Sequence, residues 1–349
     1  MDNILPAYDD PLFSILIIII LIIIVSLSSL IVGNYKEKKK KSSLKKFLGG
    51  FKKNNAVLNI EEIPFEKALI KPLTLLAQAF KTQGEYQKSI NLNLYLIDNI
   101  SNFYEKEKIL EELGETYLKA GFLKRSKLIY LEILNKHPRN KQALYYLGIV
   151  YELMHEFDKA LEIITPLEIL GEKTEKLKAH IELSKLLEEK SFSKSKKVDE
   201  LTKLLQEKNH PYRRIMKALF ALDLNVAWQH IDYEKIDSIL DILWFLPSLN
   251  LNFDIISNNE TLSAIYLAKG ELETKELNKK SNIFSIDTII SAKIGGKDNI
   301  DLLFNYGCGK CKHHFPIGFT RCPKCYTIDA IQIKETLVQK KSQTSYSLL

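Results

Sequence analysis

The 349-residue sequence lacks the short motifs that most often mark a catalytic centre. It has no glycine-rich phosphate loop, no nucleophile elbow, no HExxH zinc-protease helix and no clustered pair of catalytic acids. Its aspartates, glutamates and histidines are scattered over helix-like segments, where such residues are usually solvated or help packing. We therefore expect a protein that binds partners and is not an enzyme.

Outside one short segment the sequence also lacks an excess of positive charge. Nine lysines and one acid, Glu37, give residues 36–53 a local charge of +8, whereas the whole chain carries +7. The rest of the chain therefore sums to −1. Because proteins that bind nucleic acid usually present a broad basic surface, we expect no nucleic-acid partner from the overall charge.

No charged residue occurs between Leu12 and Val32, an apolar run of 21 residues. As a helix it would be roughly 30 Å long, enough to cross a bilayer core. A cleaved signal peptide is disfavoured because the preceding residues are acidic and contain no lysine or arginine. We predict a short non-cytoplasmic N-terminus at 1–11, a transmembrane helix at 12–32 and a lysine-rich juxtamembrane linker at 33–55. The lysines after the run place the rest of the chain in the cytoplasm by the positive-inside rule.

The middle of the chain repeats itself. Three windows align: LAQAFKTQGEYQKS at 76–89, LGETYLKAGFLKRS at 113–126 and LGIVYELMHEFDKA at 147–160. Each has a small residue after the first leucine, an aromatic residue three positions later and a second small residue at its end. This pattern is typical of tetratricopeptide repeats, in which small residues let paired helices approach closely. We predict an all-α repeat solenoid at 56–300, with clear repeats at 70–172 and diverged repeats at 173–300.

A repeat solenoid presents a concave surface, and its usual role is to hold another protein. If the first helix of each repeat lines this surface, seven side chains are candidates for contact with a partner: Lys71, Gln78, Glu111, Glu115, Tyr145, Ile149 and Glu152. The repeats do not determine the oligomeric state, and a homo-oligomer stays open.

The only four cysteines form two CxxC pairs separated by ten residues, Cys308 with Cys311 and Cys322 with Cys325. This spacing predicts one four-thiolate metal site, for Zn²⁺ or for a single iron. Disulfides are disfavoured in the reducing cytoplasm, and a thioredoxin-like redox site would need a βαβ context that is absent. Four cysteine ligands leave no open position for water, so the predicted site is structural.

The segment around the cysteines predicts a small metal-dependent unit at 301–335, followed by a flexible tail at 336–349. The ten-residue spacer is expected to form a hairpin that turns near Gly318, and TIDAIQIK at 327–334 is expected to add a strand. His313 and His314 in the spacer are predicted to be exposed polar residues, because four cysteines already complete the ligand set.

The order of these segments resembles the lipopolysaccharide assembly protein B family. The correspondence is closest at YGCGKCKHHFPIGFTRCPKCYTIDAI (306–331), in the aromatic residue before the first cysteine, the spacer length and the Cys-Pro-x-Cys second pair. The repeats at 76–160 are similar too, and by motif the resemblance covers 12–172 and 301–334. It implies a rubredoxin-like metal module bound by the four cysteines, at the end of a repeat domain anchored in the bacterial inner membrane.

The resemblance also implies a function. The family is one of adaptors that modulate lipopolysaccharide synthesis, through degradation of the lipid A deacetylase by the membrane-bound AAA+ protease FtsH. One alternative is a membrane-tethered scaffold for another assembly complex. The other is a nucleic-acid-binding zinc ribbon on a helical spacer, suggested by four cations near the cysteines and two aromatic residues available for stacking: Lys310, Lys312, Arg321, Lys324, Phe315 and Phe319.

Overall fold

The computed structural model describes residues 65–207, 210–272 and 281–340. The predicted transmembrane helix and juxtamembrane linker lie outside these residues. Within them, no helix is long and apolar enough to cross a membrane. The chain divides into two compact units, one up to Ile109 and one from Leu110, which are described separately.

The first unit contains a helix pair and the start of a third helix. A 3₁₀ turn at Lys67–Leu69 leads into α1 (Ile70–Thr82), which is followed by α2 (Tyr86–Asn99). The helix α3 (Phe103–Lys119) begins in this unit. The buried core of the first unit consists of Leu73, Leu76, Ala77, Leu92, Leu96, Ile100 and Ile109.

The second unit continues the helical repeat. The helices after α3 are α4 (Leu123–Lys136), α5 (Lys141–Leu153), α6 (Phe157–Glu162), α7 (Ile164–Ile169), α8 (Glu175–Glu188) and α9 (Lys194–Gln206). Shorter helices then follow: α10 (Tyr212–Leu222), α11 (Leu224–Gln229), α12 (Leu240–Trp244), α13 (Phe253–Ser257), α14 (Glu260–Lys269) and α15 (Phe284–Ile294), with 3₁₀ turns at Tyr233–Ile239 and Ser248–Asn250. The described chain is thus mostly helical, as the repeat pattern predicts.

The small residues of the repeat pattern lie where helices meet. Gly114 on α3 faces the ring of Tyr130 on α4, and the Ser126 hydroxyl donates a hydrogen bond of 2.8 Å to the Gly114 carbonyl. Gly148 on α5 faces Ile163 in the same manner but at a greater distance. The final small residues of the three windows are all fully buried: Ser89, Ser126 and Ala160.

The turn inside each helix pair uses a left-handed residue. Gly84 and Gly121 have φ of 82° and 80° at equivalent positions, where glycine avoids the Cβ clash of an ordinary residue. The third repeat places His155 there, with φ of 60°. The three turns therefore share one backbone geometry, although only two of them use glycine.

A cation also recurs eight residues after the aromatic residue of each repeat. In all three repeats the cation lies over the ring, at 5.3 to 5.8 Å from its centroid, within the range of a cation–π interaction. The pairs are Phe80 with Lys88, Tyr117 with Arg125 and Tyr151 with Lys159. The first turn of the second helix is thereby attached to the first helix near the turn that connects them.

A three-stranded antiparallel sheet follows the helices. Its strands are β1 (Ile300–Cys308), β2 (His314–Phe315) and β3 (Ile331–Gln339), in the order β2-β1-β3. The register runs without a slip from Ile300 opposite Gln339 to Cys308 opposite Ile331. Three alternate residues of β1 join the core of the last helices: Leu302, Phe304 and Tyr306.

Two sequence predictions for this sheet are wrong. The segment 336–339 is strand and not flexible tail, because β1 begins at Ile300 and offers each of these residues a partner. The spacer between the cysteine pairs does not form a hairpin of its own. It contributes only His314 and Phe315, which pair with β1 instead.

Candidate metal centre

The four cysteines lie in two turns, one directly after β1 and one between β2 and β3. Cys308 is the last residue of β1, and its carbonyl accepts a hydrogen bond from the Lys312 amide, which closes a tight turn around Cys311. Cys322 and Cys325 lie in a second turn, closed by the bond from the Tyr326 amide to the Cys322 carbonyl. Lys312 and Tyr326 have positive φ, of 58° and 57°, at the equivalent point of the two turns.

The two turns bring the sulfurs together. Cys308 Sγ lies 3.6 Å from Cys325 Sγ, Cys311 Sγ lies 3.7 Å from Cys322 Sγ, and all four lie within 4.8 Å of one another. Four sulfurs at about 2.3 Å from a central zinc would be roughly 3.8 Å apart in a regular tetrahedron. The cluster therefore has the dimensions that a four-thiolate metal site needs.

The environment of the thiols favours unequal ionisation. Burial opposes ionisation of Cys325, but hydrogen bonding with Thr327 and with the neighbouring thiols outweighs it and lowers the pKa of Cys325 to about 6. Burial raises the pKa of Cys322 to about 12. Since a metal binds thiolates, ligation at neutral pH would displace protons from the site.

The histidines of the spacer are not part of the cluster. His313 and His314 are both exposed, as predicted, and the Lys324 ammonium lies 3.1 Å from His313 Nδ1. The four sulfurs form the only metal-ligand grouping that the described residues contain. They could hold one metal ion with no vacant position, which is suited to fixing structure and not to activating water.

An arginine from the second cysteine turn reaches the helical repeats. Arg321, next to Cys322, points its guanidinium at Glu152 on α5, and Nε lies 3.3 Å from Oε1 while Nη2 pairs with Oε2. His180 Nε2 on α8 lies 2.9 Å from the same Oε1. These contacts lower the pKa of Glu152 to about 2, against the opposing effect of its burial.

A second group of polar contacts attaches β1 to the last helices. The Tyr306 hydroxyl donates to Asp241 Oδ2 at 2.8 Å, and Arg213 donates to both oxygens of the same carboxylate at 2.5 and 2.6 Å. The Trp244 indole donates to Asp301 at 3.1 Å. Together with the apolar residues of β1, these bonds join the cysteine-bearing sheet to the last helices.

The predicted partner surface is only partly exposed. Ile149 is 1% exposed, so its prediction as an exposed surface residue is wrong; residues 147–151 are all buried, and this part of α5 has no free face. Glu152 is occupied by Arg321 and His180 of the same chain.

The other candidates remain accessible to different degrees. Lys71 and Gln78 are exposed in the first unit. In the second unit Glu111 and Glu115 are half-buried, with Glu111 accepting a 2.6 Å bond from Asn140, and Tyr145 is 36% exposed. Contact of these residues with a partner stays a prediction.

Sequence reasoning missed the role of Arg321 and the contact of Glu152 within the chain. The only available signal was the presence of a single arginine among the lysines around the cysteines. Nothing in the local sequence of α5 indicates that a residue 169 positions further along the chain would pair with Glu152.

Comparison with known proteins finds a partial similarity to curated relatives. Lipopolysaccharide assembly protein B of Escherichia coli K12 is 24% identical over 127 residues, which are 36% of this chain and 33% of the relative. Proteins of the same name from two further strains of the species match to the same extent. The match spans about a third of the length of these curated relatives, and no protein-family model matches the chain. The similarity inferred from the motifs is confirmed at this level.

Proposed function

We propose that this chain is an adaptor at the bacterial inner membrane that modulates lipopolysaccharide synthesis. It would bind partners through its repeats on the cytoplasmic side and catalyse no reaction itself. The similarity to lipopolysaccharide assembly protein B carries the proposal. The helical repeats and the four clustered cysteines support it, because both suit a binding scaffold with a structural metal.

In the specific form of this proposal, the adaptor promotes degradation of the lipid A deacetylase by FtsH. The candidates for partner contact that are exposed on the repeats are Lys71, Gln78 and Tyr145. Tyr145 is of the residue type that is enriched at the energetic centres of protein interfaces.

The test is the half-life of the deacetylase in cells after protein synthesis is blocked. Deleting the gene for this chain should lengthen the half-life, and the full chain should restore it. A Cys311→Ser, Cys322→Ser variant should fail to restore it, whereas Lys310→Gln, an exposed change in the same turn, should succeed. An unchanged half-life in the deletion strain would refute the FtsH mechanism and leave a scaffold for another assembly complex.

The zinc-ribbon alternative receives less support. Arg321 is held by Glu152, and the rings of Phe315 and Phe319 pack edge to face at 5.2 Å. The remaining lysines would largely balance the −2 charge of a divalent metal with four thiolates. Salt-dependent binding of single-stranded RNA by the full chain would be required to revive this function.

A further inference from the structure

The Arg321 side chain connects the two ends of the second cysteine turn. Its Nη1 donates a 2.7 Å bond to the carbonyl of Tyr326, the residue after Cys325. Its backbone forms the bridge to Ile328, and the next residue is Cys322. The side chain is 6% exposed. The position of this guanidinium therefore affects the backbone that carries two of the four sulfurs.

Glu152 holds that guanidinium from outside the sheet. Its carboxylate is 11% exposed and receives Arg321 on both oxygens and His180 on one. His180 is fully buried, and its carbonyl accepts a 3.1 Å bond from Arg214. A carboxylate held by a buried histidine of a neighbouring helix as well as by the cysteine turn has little freedom to follow Arg321 if the turn moves.

The attachment of the sheet to the helices has two different parts. At β1 it is apolar, through Leu302 and Phe304 in the core of the last helices. At the second cysteine turn it is polar, through the ion pair of Arg321 with Glu152 on α5. Loss of the ion pair would therefore loosen the turn while β1 stays anchored.

We propose that Glu152 is a positioning residue for the metal centre and acts through Arg321. A metal ion restricts its sulfurs to narrow distances, and residues outside the ligand set commonly fix them. Removing the carboxylate leaves Arg321 buried without its counter-charge, so the guanidinium must reorient and take the Tyr326 carbonyl with it. By linkage, the metal and the contact with α5 stabilise each other.

The inference rests on the metal site of the proposed function but not on its lipopolysaccharide role. The experiment uses the full chain purified in detergent and loaded with zinc. A chromogenic zinc chelator is added in excess, and its absorbance follows the rate of metal release. Elemental analysis first establishes one zinc per chain; a wild-type chain that binds no metal would refute the metal site itself.

Glu152→Gln should release zinc about tenfold faster than wild type, the lower end of the usual effect of such supporting residues on metal retention. Arg321→Gln should release zinc as fast as Glu152→Gln or faster. The double variant should release zinc no faster than Arg321→Gln alone, since both changes break one interaction. Lys310→Gln, an exposed change in the other cysteine turn, is the matched control and should behave as wild type.

Two results would overturn the proposal. If Glu152→Gln releases zinc at the wild-type rate while Arg321→Gln is fast, Arg321 acts only within its own turn. If the two effects multiply in the double variant, the residues act independently. Arg321→Lys keeps the charge but cannot bridge both partners, so its rate of zinc release should lie between those of wild type and Arg321→Gln. This rate, together with an unchanged helical circular dichroism signal, would show that fast release by the glutamine variants does not result from misfolding.

Discussion

Replacing Gly114 by alanine should destabilise the repeats, whereas the same change at the equivalent Gly148 should stabilise them. A Cβ on Gly114 would lie 2.8 Å from Cζ of Tyr130, well inside the ordinary contact distance of 3.4 Å or more. The ring has no room to retreat because it is fully buried and stacked on Tyr146, with 5.7 Å between centroids. At Gly148 the nearest atom, Ile163 Cγ2, is 3.6 Å away.

The two magnitudes follow from opposing effects. Alanine is favoured over glycine in a helix by about 1 kcal/mol. Overpacking a filled site costs about 1–3 kcal/mol. The net change should therefore be a loss of up to about 2 kcal/mol for Gly114→Ala and a gain of about 0.5–1 kcal/mol for Gly148→Ala.

Native-state hydrogen exchange is the suitable assay, because repeat proteins open locally and a global unfolding curve would average the effect. Amides of α3 and α4 should exchange faster in Gly114→Ala, and amides of α5 more slowly in Gly148→Ala. In a Tyr130→Leu background, which lacks Cζ, the alanine at 114 should no longer destabilise. Equal effects at the two glycines, or no rescue by Tyr130→Leu, would refute the packing argument.

Three further changes have defined outcomes. Asn93→Leu should stabilise α2 by about 1 kcal/mol in hydrogen exchange, since the Asn93 amide is fully buried without a partner among the described residues; a loss would show that it has one. Tyr306→Phe should lower the thermal midpoint at a cost of about 1–2 kcal/mol, because the Asp241 carboxylate loses a donor, and an unchanged midpoint would contradict this. The folded pKa of Glu152, about 2 against 4.5, gives about 3 kcal/mol of stability above pH 4.5 that is lost as pH falls toward 2. Glu152→Gln should lack this acid sensitivity in urea titrations, and an identical pH profile for both proteins would count against the ion pair.

The repeats could be predicted from sequence because their packing is local. The small residues Gly114 and Gly148 meet partners in their own repeats, Tyr130 sixteen and Ile163 fifteen positions later. Contacts of this kind recur at a fixed interval and leave a periodic trace in the sequence. The cysteine cluster was predictable for a similar reason, since each turn fixes two sulfurs and the two turns need only face each other.

Exposure within a repeat was less predictable. The surface stripe that includes Tyr145 and Ile149 follows from helical spacing alone. That spacing assumes an open inner face along the whole of α5, but residues 147–151 are all buried. Burial there depends on neighbours from several elements, and helical periodicity describes only one element at a time.

The pairing of Arg321 with Glu152 shows the same principle at long range. A lone glutamate on a helix and a lone arginine in a turn have no pattern that links them, because an ion pair constrains only two positions. The pair occupies Glu152, whereas Tyr145 on the same helix is exposed. If the metal and the ion pair stabilise each other as proposed, loss of the metal would free Glu152, so partner binding and metal retention should be measured on the same variants.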